Sequence, residues 1–311
     1  MDMSEENPIV IKREPILEID GLTIERSLGF GERGVCLRGV SLSVFEKEII
    51  VLAGEAGSGK SVLSRLILGA VEPQTKILAG AVRFDGADLL SLRSGKRREL
   101  RRRELAFIGR KAEEAFNPDH TVHQSLREFC RLGGRHDRMI EEKDWSDIFY
   151  SVGIVEPERV LSRPIGSLSL LMVQKVALMR GLISGARLLI CDDSTSGLDR
   201  IAEGQFYELL HQLREERGLT IVMATGNARG IGRFADRVFV FYEGGVLESG
   251  KAAEVLSQPR FLYSREFFAS APSLSDHPRE LPGISRQAIQ EAEEFINGSA
   301  QSVSPVDGIG E

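Results

Sequence analysis

The stretch Gly54–Ser61 constrains the fold of this chain more than any other segment. It fits the pattern G-x-x-x-x-G-K-[ST], and its residues are Gly54, Glu55, Ala56, Gly57, Ser58, Gly59, Lys60 and Ser61. Glycines let a backbone curl so that several N–H groups point at one anion. The lysine neutralises the outer phosphates, and the serine hydroxyl is placed to ligate Mg²⁺. The pattern therefore predicts a phosphate-binding loop.

The residues on either side of the loop support this interpretation. Glu48–Ala53 is a short apolar run typical of a buried strand, and Val62–Leu68 has helical spacing. A helix that begins at the loop directs its N-terminus at the phosphates. The alternative is an ordinary glycine-rich turn, and the order of strand, loop and helix argues against it.

Composition excludes several other classes of function. The net charge is −6 and aromatic residues make up 6% of the chain, which argues against a nucleic-acid partner. Cys36, Cys130 and Cys191 lie far apart, without metal-ligand spacing, and are typical of reduced thiols in the cytosol. No apolar run approaches the ~20 residues of a membrane span. Because Met1–Glu6 is acidic, we expect no signal peptide.

The order of apolar segments predicts the fold class. Ile16–Ile24 and Cys36–Val44 suggest a small antiparallel sheet beside the nucleotide-binding core, and Gly80–Gly86 is a further strand that ends in an Asp-Gly turn. Further strands at Arg187–Asp193, Thr220–Thr225 and Arg237–Tyr242 alternate with helical patterns at Leu168–Leu182 and Ile201–Arg217. We predict an α/β P-loop NTPase (RecA-like) fold with a mostly parallel sheet, an N-terminal antiparallel β subdomain and a helical insertion.

Changes in composition suggest the domain boundaries. We expect a loose tail at 1–14, a core formed by 15–109 and 165–272, a helical subdomain at 110–164 and a polar extension at 273–311. Within the insertion, helical patterns lie around Val122–Leu132 and Trp145–Val152, and a short one follows near Arg286–Ile296 in the extension.

The basic run Lys96–Arg103 has two interpretations. It could contact nucleic acid or acidic lipid headgroups, or it could be the solvated face of a helix that turns leucines inward, among them Leu89, Leu92, Leu100 and Leu105. We favour the solvated helix because the positive charge is local and the chain is acidic.

A second pair of polar residues follows the strand at Leu188–Asp193. Asp192 at the strand end is placed to hold Mg²⁺ opposite the Ser61 hydroxyl, and the next residue, Asp193, occupies the position of the carboxylate that polarises the attacking water. The alternative is that Asp192, Asp193 and Ser194 only cap a turn.

The order of these motifs resembles the ATP-binding subunits of ABC transporters. Gly54–Ser61 is followed by a helical insertion, then by Leu168-Ser169, Leu188–Asp193 and Ser196–Asp199. Similarity is greater to the oligopeptide/dipeptide importer branch, on the following segments: Gly54–Ser61, Phe116–Pro118, Ala235–Val238, Tyr242–Gly244 and Gln258–Arg265. The resemblance covers about Leu17 to Pro272.

The resemblance implies the assembly and the cofactors. ATP with Mg²⁺ would lie between the phosphate loop of one chain and the signature motif of a second ATP-binding subunit, with Ser196, Gly197 and Asp199 in the loop that contacts the partner. The pair would dock on two transmembrane permease subunits, supplied by an extracytoplasmic solute-binding protein. The chain would then sit at the cytoplasmic face of the membrane. No iron–sulfur centre is expected.

Departures from the family pattern concern the chemistry. The signature Leu-Ser-Gly-Gly is here Leu168, Ser169, Leu170, Leu171. Two leucine side chains should obstruct the approach of the helix N-terminus to a partner's γ-phosphate. Taken without the family, Leu168–Leu178 is a buried helix face.

The residues that would drive hydrolysis are also altered. Asp193 stands where the family has a longer glutamate, Arg110 aligns with the glutamine that reaches Mg²⁺, and Gly226 aligns with the switch histidine. A guanidinium cannot ligate a cation, although it can pair with phosphate. Phe30 is the nearest candidate for the adenine-stacking aromatic.

Three hypotheses of function follow, all with ATP binding. The chain is a weakly hydrolysing subunit paired with an intact paralogue, or an active ATPase in which Asp193 is a weakened base and Arg110 compensates. The third hypothesis is a regulatory or structural module outside transport. A small-molecule kinase would share the loop, but the helical insertion and Ser196–Asp199 argue against it.

Overall fold

The computed structural model describes residues 13–29, 32–70, 72–133, 140–270 and 283–301. Its strands, in chain order, are β1 (Leu17–Gly29), β2 (Glu32–Val44), β3 (Ile49–Ala53), β4 (Thr75–Phe84), β5 (Ala87–Asp88), β6 (Leu105–Ile108), β7 (Leu188–Asp192), β8 (Thr220–Thr225), β9 (Arg237–Tyr242) and β10 (Gly245–Lys251). Its α-helices are α1 (Lys60–Ile67), α2 (Ser94–Arg103), α3 (Val122–Gly133), α4 (Trp145–Ser151), α5 (Pro157–Leu161), α6 (Leu170–Ser184), α7 (Arg200–Arg217), α8 (Ala252–Ser257), α9 (Leu262–Ala269) and α10 (Arg286–Gln301).

The central sheet has six strands in the order β10-β9-β3-β8-β7-β6. Strands β9, β3, β8, β7 and β6 are mutually parallel, and β10 pairs antiparallel with β9. Both faces of β3 are buried: Ile49 and Val51 contribute to one hydrophobic core, and Ile50 and Leu52 contribute to the other. A continuous apolar run is what a parallel strand covered on both faces requires. The predicted mostly parallel α/β sheet is confirmed.

A second sheet, in the order β2-β1-β4-β5, is antiparallel throughout. Its apolar face, which includes Leu17, Ile19 and Phe84, packs in the same core as Leu63 and Leu66 of α1. The expected N-terminal antiparallel layer is therefore present, and it lies beside the helix that follows Gly54–Gly59.

Helices α3, α4 and α5 lie in the chain between β6 and α6. Trp145, the single tryptophan of the chain, is buried in α4 and donates from its indole nitrogen to the carbonyl of Ile140 at 3.3 Å. Arg180 of α6 stacks on Phe116 with its guanidinium carbon 3.8 Å from the ring centroid, and burial lowers the pKa of Arg180 to about 10. The contact between Arg180 and Phe116 joins this part of the chain to α6.

The basic run forms α2, and none of that helix is buried, as the solvated interpretation predicts. Of the four leucines expected to turn inward, only Leu100 lies in α2; Leu89 and Leu92 precede the helix. Leu105 is buried as expected, but in the edge strand β6, which was not predicted. The strand Leu105–Ile108 is hard to predict because it has only four residues, its burial does not alternate, and it directly follows a strongly basic run.

The C-terminal extension is less polar in its packing than its composition suggests. Helix α10 extends five residues past the predicted end at Ile296, to Gln301, and buries Ala288, Ala292 and Ile296 in the main core. A Cβ on Gly245 would lie 2.4 Å from the Ile296 side chain, so α10 seats directly on the turn between β9 and β10.

Candidate nucleotide-binding site

The loop from Gly54 to Gly59 joins β3 to α1 and folds with left-handed backbone angles at Gly54, Gly57 and Gly59. A Cβ on Gly54 would lie 2.3 Å from the Phe241 carbonyl oxygen, and one on Gly59 would lie 2.8 Å from the carbonyl oxygen of Cys36. Glycine is therefore required at both ends of the loop for space as well as for conformation. Gly57 has no heavy atom within 4 Å of a built Cβ, so the middle of the loop faces open space.

Lys60 is buried at the centre of this loop. Its ammonium donates to the carbonyl oxygens of Gly54 and Glu55, both at 2.7 Å, and to Ser58 Oγ at 2.9 Å. Burial lowers the pKa of Lys60, and the nearby carboxylates of Asp193 and Asp192 oppose that shift. The loop thus surrounds one positive charge that its own oxygens hold in place.

Ser61 and Asp192 meet at the end of β7. Ser61 Oγ donates to Asp192 Oδ1 at 2.8 Å. Burial raises the pKa of Asp192, and the hydrogen bond from Ser61 opposes that shift. A hydroxyl and a carboxylate are hard oxygen ligands of the kind that Mg²⁺ prefers, and Mg²⁺ sites commonly use one or two carboxylates plus phosphates. The residues present therefore fit Mg²⁺. In the described ranges no group of three or more His, Cys, Asp or Glu side chains could hold a metal by itself.

Asp193 has a left-handed backbone, with φ 49°, which Asp tolerates better than most residues. Its N–H donates to the Ala224 carbonyl at 2.8 Å, and its Oδ1 accepts the Gly226 N–H at 3.0 Å. A Cβ on Gly226 would lie 3.7 Å from the Gly54 carbonyl oxygen. The structure therefore brings Asp193, Gly226 and the phosphate loop together.

Arg110 lies just after β6. Its side chain is exposed, and its Nε donates to Ser196 Oγ at 3.3 Å. Ser196 in turn donates its backbone N–H to the Asp193 carbonyl at 3.0 Å. Arg110 thus contacts the loop 194–199, and its role toward a nucleotide stays a prediction.

The signature residues begin α6. Ser169 caps the helix, with its Oγ accepting the Met172 N–H at 3.3 Å, and Leu170 and Leu171 are the first two helical residues. Both leucines are half-buried, and a Cβ on Gly197 would lie 3.2 Å from Leu170 Cδ2. Leu170 therefore packs against the loop 194–199 of its own chain. The predicted buried helix face begins only at Val173.

The remaining predicted residues have structural roles or lie elsewhere. Asp199 caps α7, with Oδ1 accepting the N–H groups of Ile201 and Ala202, both at 2.9 Å. Gly197 takes a left-handed conformation, with φ 89°. Phe30, the expected adenine-stacking residue, lies outside the described residues. The three cysteines are free, and burial raises the pKa of each thiol, to about 12 for Cys191.

Two groups near the site were missed. The hydroxyl of Tyr263, a fully buried residue of α9, accepts the Glu55 N–H at 3.4 Å. Glu203 of α7 is buried and contacts the loop that contains Gly226. Nothing local signals Tyr263, which lies far from Gly54 in the chain. The single acidic position on the apolar face of α7 is a weak signal for Glu203.

Comparison with known proteins agrees with this geometry. A parallel sheet with a phosphate loop after its central strand defines a P-loop nucleotide-binding fold. The family model described as "ABC transporter" matches residues 37–196, just over half of the chain. The chain belongs to the ABC transporter family.

Curated relatives are transport ATP-binding proteins. The chain is 30% identical over 260 residues to the peptidoglycan transport ATP-binding protein YejF of Agrobacterium fabrum (strain C58 / ATCC 33970), an alignment that covers 83% of this chain and 47% of that relative. The chain thus spans about half the length of that protein. It is 28% identical over 275 residues to the dipeptide transport ATP-binding protein DppD of Escherichia coli (strain K12), covering 86% of this chain and 83% of the relative.

A solved structure supports the fold. The dimeric structure of MJ0796, a bacterial ABC transporter cassette, superimposes with a TM-score of 0.64 at 24% identity and covers 76% of this chain and 98% of that one. Within the part of the chain that the structure describes, no helix combines the length and the apolar character needed to cross a membrane.

Proposed function

We propose that this chain is the ATP-binding subunit of an ABC importer for peptides or similar small solutes, and that it binds ATP with Mg²⁺ at a dimer interface while hydrolysing it weakly at its own site. The observation that carries the proposal is the preformed loop around Lys60, with Ser61 bonded to Asp192 beside it. The names of the curated relatives support the transport role.

Each residue of the loop has a defined part in binding. Backbone N–H groups of Gly54–Ser61 and the N-terminus of α1 would bind the phosphates. The Lys60 ammonium would exchange bonds to loop oxygens for bonds to phosphate oxygens. Ser61 and Asp192 would hold Mg²⁺, which when bound neutralises part of the phosphate charge.

Hydrolysis at this chain's own site is expected to be weak. Asp193, the candidate general base, is one methylene shorter than a glutamate, and a misplacement of ~1 Å can cost about a hundredfold. Gly226 offers no side chain to the γ-phosphate, and Arg110 is engaged with Ser196. If each alteration removed even about 2 kcal/mol of transition-state stabilisation, turnover would fall by orders of magnitude, although such effects do not add simply.

The partners follow from the same proposal. A second ATP-binding subunit with an intact signature would complete this chain's site, and Leu170 and Leu171 would face the phosphate loop of that partner. Two permease subunits and a solute-binding protein would complete the transporter. This places the chain peripherally at the cytoplasmic face of the membrane.

The proposal is tested in two stages. Equilibrium binding of ATP with Mg²⁺ should be saturable for the wild-type chain and about a hundredfold weaker for Lys60→Ala. Lys111→Ala, which removes an exposed lysine that pairs with Glu114, should bind normally. Absence of saturable binding to the wild-type chain would contradict ATP binding.

The second stage is purification from the native cell, identification of co-purifying chains and measurement of ATP turnover by the complex. We expect an intact paralogue and permease subunits. Rapid turnover by the purified chain alone would contradict weak hydrolysis. Recovery of the chain without permeases would favour the regulatory or structural alternative. The replacement of the signature glycines by Leu170 and Leu171 is consistent with that alternative.

A further inference from the structure

Glu203 is a buried carboxylate in α7, only 5% exposed. Its Oε1 accepts hydrogen bonds from the Tyr207 hydroxyl at 3.0 Å and from Asn227 Nδ2 at 2.9 Å. The guanidinium of Arg229 lies 3.5 Å from Oε2. A buried charge is costly unless it is paired and hydrogen-bonded, and here the donors come mainly from the loop that follows β8.

Asn227 is the link between Glu203 and the path of that loop. Its backbone N–H donates to Thr225 Oγ1 at 3.0 Å, and its Oδ1 accepts the Arg229 N–H at 3.0 Å. With Nδ2 bonded to Glu203, the amide side chain is held from both ends. The backbone through residues 225–229 is therefore fixed relative to α7.

The next contact in this chain of bonds is Gly226. Its N–H donates to Asp193 Oδ1 at 3.0 Å. Because glycine has no side chain, its flanking residues set the direction of its amide: Thr225 is held in β8 beside Ala53, and Asn227 is tied to Glu203. Asp193 is tied at its own backbone to Ala224, so the Gly226 bond settles where its carboxylate points.

We infer that Glu203 is a positioning residue: through Asn227 it fixes the Gly226 amide, and thereby the orientation of the Asp193 carboxylate beside the phosphate loop. The inference deepens the proposed function and rests on it for its kinetic consequence. A carboxylate that directs water depends steeply on its orientation. A residue of α7, which lies outside the phosphate loop and the strand ends, therefore influences the orientation of the Asp193 carboxylate.

If Glu203 only stabilised α7, removing any of its hydrogen-bond donors would have the same effect, and Tyr207 provides the variant that tests this. Tyr207 also lies 3.4 Å from Thr195 Oγ1, and its ring stacks on Phe234 with centroids 4.3 Å apart. Tyr207→Phe removes one donor to Glu203 but leaves Asn227 bonded. This variant is the matched control: it should lower stability without moving Gly226 or Asp193.

The test exchanges the donor and the acceptor. Asn227→Asp places two carboxylates at a 2.9 Å contact. The double variant Glu203→Gln with Asn227→Asp restores a pair in which the Gln amide donates to the Asp carboxylate. Asn227→Ala removes the donor without adding charge, as a second route should Asn227→Asp not fold.

The main readout is hydrogen exchange of the Gly226 amide in the full-length chain without nucleotide, measured at residue resolution. Asn227→Asp and Asn227→Ala should speed exchange at least about tenfold, the effect of losing one hydrogen bond. The double variant should return to within about threefold of wild type, and Tyr207→Phe should stay there too. Unchanged Gly226 exchange in both Asn227 variants, or no recovery in a folded double variant, would overturn the inference.

The kinetic readout separates positioning from binding. Turnover in the Asn227 variants should fall about tenfold or more with KM for ATP within about twofold, and should recover in the double variant. A change in KM with unchanged kcat would contradict positioning. Absence of ATP binding by the wild-type chain would instead contradict the proposed function. The exchange measurement is made without nucleotide, so its result does not depend on ATP binding.

Discussion

The phosphate loop and the loops around it differ in where their side chains find hydrogen-bond and packing partners. In the phosphate loop, Lys60 bonds to oxygens of its own segment and Gly54 and Gly59 fit against the neighbouring backbone. Around it, Leu170, Asp193 and Arg110 bond or pack within the loops 194–199 and 224–230. Binding geometry is thus preserved by local folding, whereas the groups that would act on the γ-phosphate are occupied with contacts inside this chain. Binding and turnover can be lost separately.

The largest expected effect is on ATP affinity, when the positive charge of Lys60 is removed from the phosphate loop. Lys60→Ala should weaken ATP binding about a hundredfold, because a charge-assisted hydrogen bond contributes up to ~3 kcal/mol. Isothermal titration with ATP and Mg²⁺ measures it. An affinity within threefold of wild type, with Lys111→Ala as control, would show that the loop is not the binding site.

A pair of glycine substitutions compares the two regions directly. Gly54→Ala should cost about 2–3 kcal/mol of unfolding free energy, because its Cβ would meet the Phe241 carbonyl at 2.3 Å in a left-handed conformation. Gly226→Ala should cost less than about 0.5 kcal/mol, since its nearest contact is 3.7 Å. Urea unfolding gives both values. Equal costs would mean that the loop around Gly226 is as constrained as the phosphate loop.

Restoring glycines at the start of α6 sharpens the comparison at the partner's site. In a complex with an intact paralogue, Leu170→Gly with Leu171→Gly should raise ATP turnover about tenfold, because the helix N-terminus regains access to a phosphate. Phosphate release is the measurement. The control is Leu262→Gly, another half-buried leucine at the first position of a helix. A rise of the same size there would exclude a specific effect.

The smallest effect concerns Asp192. Burial raises the pKa of the Asp192 carboxyl above its ordinary value, so folding disfavours the ionised form. The protonated carboxyl of Asp192 therefore adds to the free energy of unfolding at pH values below its ordinary pKa. This stabilisation is lost as the pH rises through the pKa that Asp192 has in the folded chain. Asp192→Asn should therefore raise the melting temperature at pH 7 by about 1–3 °C without nucleotide, with a smaller gain near pH 4. Thermal scans across pH measure it, and a lower melting temperature at pH 7 would contradict it.

Much of the fold could be predicted because the signals are local. The apolar runs Ile49–Ala53, Leu188–Asp192 and Thr220–Thr225 each form a strand covered on both faces. The strand Leu105–Ile108 was missed because four residues after a basic helix carry too little pattern. The packing of α10 was missed because its apolar positions, Ala288, Ala292 and Ile296, are spaced by four within a polar segment.

In the candidate site, too, the contacts that follow from local patterns could be predicted and those that depend on distant packing could not. The meeting of Ser61 with Asp192 follows because β3 and β7, the parallel strands on either side of β8, have their carboxyl ends at the same edge of the sheet. Contacts through Tyr263 and Glu203 depend on how distant helices pack, and single residues do not encode that. The bond between Asp193 and Gly226 is intermediate: alignment placed both residues at the site, but only the folded loop shows that they bond.

The burial of Trp145 in α4 gives this chain a built-in optical probe. Because it is the single tryptophan, tryptophan emission, excited selectively over the four tyrosines, reports on the helical segment alone. The indole is enclosed, bonds to the Ile140 carbonyl and lies 6.3 Å from the His123 ring in an edge-on arrangement. Loosening of the helices before the sheet would therefore register as a change in fluorescence that precedes the loss of circular dichroism, and a nucleotide that moves the helices relative to the sheet could be followed without any label.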